Sequence, residues 1–115
     1  NNRVCCFLVD HNTGRDEAVF LPFLGKLAAV NKGPALLAVR TGAIVMPAFT
    51  LRDGHKFRLG VHKPLDTKEL TGSLDEKVLQ VCEFYTRAVE EEVLKNPEQW
   101  FWMHRRWKTR PENEN

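Results

Sequence analysis

The hydrophobic pattern changes period several times along the chain, and each change marks an element. VCCFLV at 4–9 is a continuous apolar run with β-branched ends, the pattern of a strand covered on both faces, and it stops at Asp10. The polar stretch DHNTGRDE at 10–17 follows as a loop at the C-terminal end of that strand, the position where open α/β sheets bind ligands. AVFLPFLG at 18–25 is apolar, but Pro22 cannot donate to a ladder, so the segment is expected to be an edge or irregular extended stretch. Gly33-Pro34 opens a short helix that ends at Gly42. Residues 43–50 read as a second apolar strand, and Arg52-Asp53-Gly54 turns it into an alternating, half-exposed strand at 56–62, an antiparallel hairpin at a sheet margin. Ser73 with Glu76 forms a capping box. Behind it Leu74, Val78, Val81, Tyr85, Val89 and Val93 recur at three- and four-residue spacing, a long amphipathic helix stopped by Asn96-Pro97. ENEN at 112–115 is expected to be disordered. The order predicts an α/β fold, the second half of a mixed-sheet domain with an antiparallel hairpin, one short helix and one long one.

Composition adds little to this until the end of the chain. A length of 115 residues with 43% hydrophobic and 28% charged content suits one globular domain. The net charge of +2 conceals a local basic patch in the last dozen positions. Three cysteines, two of them adjacent, make no disulfide framework, and Cys5 and Cys6 read as small buried hydrophobes in a reducing compartment. No apolar run approaches the ~18 residues of a membrane-spanning helix, and no charged leader with a cleavage site is visible. Because Asn-Asn-Arg leads almost directly into an interior type of strand, the chain reads as part of something longer.

Two groups of residues bear chemistry. His11 and Asp16 are separated by four residues on the loop after the first strand, where a carboxylate can orient an imidazole that deprotonates a hydroxyl; two solvated loop side chains satisfy the same pattern. The stretch PEQWFWMHRRWKTRP at 97–111 packs Trp100, Phe101, Trp102 and Trp107 among His104, Arg105, Arg106, Lys108 and Arg110. Tryptophans packed on a sheet under the stems of cationic side chains explain the aromatics. Five cationic or potentially cationic residues within seven positions repel one another unless something anionic sits among them, and phosphate is the natural counterpart. Nucleic acid would satisfy that pattern too, but no helix-turn-helix, zinc or RNA-recognition signature accompanies it.

With these pieces the sequence resembles the bacterial lipid A biosynthesis acyltransferases, which add secondary acyl chains to lipid A precursors. The match is carried by FLVDHNTGRDEAVFLPFLG, by LAVRTGAIVMP at 37–47, and almost letter for letter by the terminal PEQ-W-x-W-x-HRRWKTRP. The resemblance implies that residues 1–111 are the C-terminal part of an acyltransferase-like domain and 112–115 a tail. It places the catalytic His-x4-Asp/Glu motif upstream of these residues, which makes His11 and Asp16 decoys and would leave this chain alone inactive. Asp10, at the strand end, matches a family aspartate implicated in activity and is the expected catalytic residue here; a loop-start aspartate capping nearby N–H groups is the alternative. The family chemistry implies an acyl carrier protein thioester as donor, a phosphorylated, acylated glucosamine disaccharide as acceptor, and work at the cytoplasmic face of the bacterial inner membrane, with no cofactor, metal or nucleic acid. Phe20 and Phe23 would then line the acyl chain's pocket, while Arg105, Arg106, Lys108 and Arg110 would meet phosphates or carboxylates. Adjacent residues point different ways, so of Arg105 and Arg106 one is expected in a buried structural pairing and the other facing the site. A related acyltransferase acting on another glycolipid, or a non-catalytic module binding anionic lipid or nucleic acid through the basic, aromatic end, remain the alternatives.

Overall fold

The computed structural model describes residues 3–100 and 102–112; Phe101 and residues 113–115 of the expected disordered end lie outside them. The fold is mixed α/β and, among the described residues, has six strands, β1 (Ala18–Phe23), β2 (Lys26–Asn31), β3 (Ile44–Val45), β4 (Ala48–Asp53), β5 (Lys56–Val61) and β6 (Leu65–Asp66), and two α-helices, α1 (Gly33–Thr41) and α2 (Leu74–Lys95). Among the described residues the strands pair antiparallel in three ladders, β1 with β2, β3 with β6 and β4 with β5.

Both helices form where the chain signals them. Pro34 opens α1, and Gly42, at φ 68°, closes it in the left-handed conformation that glycine adopts without a Cβ penalty. Ser73 accepts the Glu76 N–H while the Glu76 carboxylate accepts the Ser73 N–H, so α2 starts with two of its orphan donors satisfied. Its periodic stripe is the spine of the molecule. Val78, Val81, Cys82 and Tyr85 pack with Leu21, Val30 and Ala35 at one end, and Val89 and Val93 pack with Phe23 and Ala28 at the other. Each such side chain contributes on the order of 1.5–3 kcal/mol by leaving water. The Tyr85 hydroxyl donates to the Asn31 carbonyl, and burial pushes both the Tyr85 phenol and the Cys82 thiol up from their ordinary values.

The hairpin β1–β2 is tighter than its sequence suggests. AVFLPF is an edge strand as expected, but KLAAVN pairs with it through the two-residue turn Leu24-Gly25. Both turn residues have positive φ, 52° at Leu24 and 84° at Gly25, which a two-residue hairpin turn requires. Leucine in that region costs roughly 1–2 kcal/mol. The cost is offset because the Leu24 N–H donates to Glu90 Oε2 on α2 at 2.7 Å and the Leu24 side chain packs on the Phe23 cluster.

Two expectations are corrected. Residues 4–9 form no strand: none of the ladders takes up their backbone, Val4 and Leu8 are 89% and 81% exposed, and Cys5 and Cys6 are exposed rather than buried. Without a neighbouring strand an apolar run has neither hydrogen-bond partners nor cover, and only Val9 reaches the core. The apolar run 43–50 is also two strands, because Met46-Pro47 interrupts it; β3 pairs with β6, while the Pro47 carbonyl accepts from the His62 N–H and so extends the β4–β5 pairing by one position. The β4–β5 hairpin turns through Gly54 at φ 64°, and Phe57, Leu59 and Val61 point together into solvent from one face of β5.

Replacing the cap serine, Ser73→Ala, is expected to lower the stability of the chain by about 1 kcal/mol. The expected result is a lower urea midpoint with an unchanged slope, since the compactness of neither end state depends on the cap.

Candidate functional site

The basic, aromatic stretch folds back over the β1–β2 hairpin, and its polar groups are spent on backbone. Leu27 and Ala29 are two residues apart on β2, so their carbonyls leave the same edge of the strand. Arg106 Nη1 donates to the Ala29 carbonyl at 2.8 Å, and Arg110 Nη1 donates to that of Leu27. Trp107 Nε1 reaches the Phe23 and Lys26 carbonyls at the hairpin turn, each at 3.3 Å. Side-chain donors thus cover an edge that a further strand would otherwise pair with.

Arg106 is the centre of this strap. It is 2% exposed, and its guanidinium carbon lies 5.3 Å from the Phe23 ring centre, while Trp100 and Trp107 flank the same ring at 5.7 and 5.8 Å. Burial lowers its pKa from the usual guanidinium range, and the negative charge of Asp10 opposes that shift. Its Nε is enclosed and has no hydrogen-bond partner among the described residues. A buried donor left this way costs about 1–3 kcal/mol, more when charged. Arg105, its neighbour, is exposed, so the two arginines divide as expected, with Arg106 inside and Arg105 outside. Lys108 is exposed and Arg110 half-buried.

The loop after Asp10 is tied to the same strap. The Asn12 N–H donates to His104 Nε2 at 2.9 Å, so that nitrogen carries no proton. The Asn12 side chain donates to Thr109 Oγ1 at 2.9 Å and accepts from the Thr109 N–H at 3.3 Å, and Arg15 Nε donates to the Arg110 carbonyl at 3.1 Å. Asp10 itself is half-exposed, with its carboxylate 3.8 Å from His11 Nδ1. The carboxylate beside His11 is therefore that of its neighbour Asp10 rather than Asp16, and its ring lies 6.2 Å from that of His104. Asp16 lies in a 3-10 turn, Arg15–Glu17, and lines an open depression of about 430 Å³ together with Gly14, Arg15, Glu17 and Glu112.

Of the aromatic candidates, Phe23 is 1% exposed inside the core cluster, and Phe20 is half-buried on the same strand. Asn12, His104 and Thr109 are the residues that sequence reasoning missed. The only signal for them was their presence in two quoted stretches, and pairings across more than 90 positions leave no local pattern. A second groove, about 470 Å³, runs between α2 and the end of β5, where His62 bonds Glu92 at 2.8 Å and Arg87 and Lys63 share the wall. Among the described residues no group of histidine, cysteine and carboxylate side chains is placed to hold a metal ion, and no helix is long and apolar enough to cross a membrane.

The family model described as bacterial lipid A biosynthesis acyltransferase matches residues 1–109. The chain belongs to that family. It is 34% identical to the lipid A biosynthesis lauroyltransferase of Escherichia coli K12, over 95% of this chain and 35% of that protein. It is 32% identical to the palmitoleoyltransferase of the same organism, over 94% and 34%, and 32% identical to a lipid A biosynthesis acyltransferase of Haemophilus influenzae, over 90% and 33%. The chain thus spans about a third of the length of the curated relatives it matches.

The unequal placement of the two arginines has a measurable counterpart. Arg106→Ala removes a charge-assisted bond and core contacts and is expected to cost about 2 kcal/mol or more. Arg105→Ala is expected to stay within about 0.5 kcal/mol of the parent in the same denaturant titration.

Proposed function

We propose that this chain is the C-terminal part, residues 1–111, of an enzyme that transfers an acyl chain to a lipid A precursor. The carrying observation is that the family match, residues 1–109, takes in the Asp10 loop and the strap as far as Thr109, the residues that lace the two together, rather than the core alone. The reaction moves an acyl group from a thioester to a hydroxyl; a base takes the hydroxyl proton, the thiolate leaves, and an oxyanion forms between. Acyl carrier protein is the donor we favour, and a phosphorylated, acylated glucosamine disaccharide the acceptor, met at the cytoplasmic face of the inner membrane.

In this reading Asp10 stands at the reacting end. The base is the His-x4-Asp/Glu pair that the resemblance places outside these residues, and Asp10 acts by positioning or electrostatics, since a carboxylate on a half-exposed loop is free to meet a substrate group. Arg105 and Lys108, exposed on the strap, supply cations to the anionic head. Arg106 and Arg110 contribute from behind, holding the strap on β2. Phe20, half-buried on the face of β1 opposite Leu21 and Phe23, is the aromatic candidate for contact with the acyl chain, while Phe23, enclosed in the core, supports the hairpin from the other face.

The test is acyl transfer by the full-length protein with a thioester donor and a lipid A precursor; no transfer by a folded preparation would remove the enzyme reading and leave a module that binds anionic lipid. Within that assay, Asp10→Asn is expected to lower turnover on the order of 10²-fold or more without unfolding the protein, and His11→Ala far less. Arg105→Ala is expected to raise the apparent KM for the acceptor while sparing kcat, because contacts to an unreacting head group bind ground and transition states alike. Equal, large losses from Asp10→Asn and His11→Ala would return His11 to the chemistry.

A further inference from the structure

The outer face of the β4–β5 hairpin is apolar where a solvated sheet face is ordinarily polar. Phe57, Leu59 and Val61 occupy alternate positions of β5, and the exposed side of the preceding chain, at 44, 46, 48, 50 and 52, begins with Ile44 and Met46. These five large side chains are each between 57% and 70% exposed. Val45 and Phe49, on the opposite side, pack on the two core clusters, so the register that seats the core is the one that turns this band outward. An apolar band of this size marks a surface that meets something other than water.

The charges around the band identify that partner. Arg52 lies opposite Phe57 in the ladder, and its guanidinium carbon is 5.7 Å from the Phe57 ring centre, so the band ends at the hairpin tip in a cation laid against an aromatic ring. Lys63 stands just past its other end, and His55, Lys56 and Arg58 add to the tip and the reverse face. Asp53 is the one carboxylate between positions 44 and 63. Among the described residues no ion pair engages Arg52, Lys56, Arg58 or Lys63. Their long stems carry the charged heads past the apolar side chains. A protein cover would need a matching set of carboxylates at the margin of the band, whereas an anionic bilayer offers apolar depth with phosphate above it.

The band is also held at a fixed angle to the strap. The Gln99 side-chain oxygen accepts from the Arg52 N–H at 2.6 Å, and its nitrogen donates to the Arg52 carbonyl at 3.0 Å, so one amide pairs with β4 in both directions as a strand would.

We propose that the outer face of the β4–β5 hairpin docks on an anionic lipid bilayer: Phe57, Leu59 and Val61 enter the boundary of the acyl chains, and Arg52 and Lys63 meet headgroup phosphates at the two ends of the band. The proposal goes beyond the function given above, which names a lipid acceptor but no residue that meets the membrane, and rests on it only for the membrane setting. Gln99 then sets the angle at which Arg105 and Lys108 face the bilayer.

The experiment places a tryptophan on the band of the full-length protein and adds, in excess, vesicles of equal parts phosphatidylcholine and phosphatidylglycerol with brominated acyl chains. Against the baseline of the parent's own tryptophans, Leu59→Trp is expected to be quenched at least about two-fold more than Arg58→Trp, which sets the same ring on the reverse face of β5. Val61→Trp carries the same comparison if Leu59→Trp does not fold. Vesicles of phosphatidylcholine alone, or Arg52→Gln with Lys63→Gln beside Leu59→Trp, are expected to weaken the quenching. Equal quenching of Leu59→Trp and Arg58→Trp would overturn the proposal, and quenching that is indifferent to phosphatidylglycerol would overturn its charge matching and the anionic surface with it. A Leu59→Trp ring that emits as a buried one before vesicles are added, and ignores bromine, would mean that the remainder of the protein covers the band. A ring that responds only to an acidic protein such as acyl carrier protein would mean a protein partner; either result overturns lipid docking. Quenching without acyl transfer removes the enzyme reading and leaves the docking surface standing; transfer without quenching does the reverse.

Discussion

A single enclosed cation organises the surface of this fold. Arg106 sits against Phe23 between two tryptophans and binds the outward edge of β2. Burying a guanidinium is expensive, and the expense is tolerated only because a carbonyl, an aromatic face and a nearby carboxylate charge share the load. Once Arg106 is seated, Trp107 and Arg110 reach the remaining carbonyls of the hairpin, and Thr109 and His104 fall beside Asn12. Remove the cation and no local preference keeps residues 102–112 in place, because they form no helix or strand of their own.

The interleaving of aromatics and cations has a plainer origin than ligand binding alone. Tryptophan and arginine recur because an uncovered strand edge needs donors that reach sideways, and an uncovered apolar cluster needs flat side chains to close it. What is left for a substrate is the alternate set, Arg105 and Lys108, which the same strap turns outward. One stretch of chain thus closes the core on its inner side and offers charge on its outer side.

The helices were legible because their signals are local. Ser73 with Glu76, Pro34 with Gly42, and the spacing from Val78 to Val93 each lie within a few turns of one another. The hairpin β1–β2 was half legible, since Pro22 marks an edge but Leu24-Gly25 lacks the usual asparagine or aspartate before the glycine, and Glu90 66 positions away supplies the missing support. The run 4–9 misled because its pattern describes an environment, cover on both sides, that no described part of the chain provides. At the candidate site the expectation that one of Arg105 and Arg106 is buried and the other exposed agrees with their placement, although the strap is no strand and strict alternation does not govern it. Their partners were not legible: a backbone carbonyl looks the same at every position, so nothing in the letters marks Ala29 as the one that Arg106 will bind.

The lacing between loop and strap sets an order of events in synthesis. His104 and Thr109 are joined to the peptide 92 and 97 positions after Asn12, the residue they clamp. At ~5–20 residues per second, the ribosome adds them roughly 5–20 s later, long after the loop has emerged. α2 itself ends at Lys95, only a few positions before His104, so the helix and the strap arrive almost together, and until then the loop bearing Asp10 has nothing to fasten to. Its geometry is settled only when the strap arrives, so a chain that stops short of His104 leaves the site unset and the Phe23 cluster without Trp107.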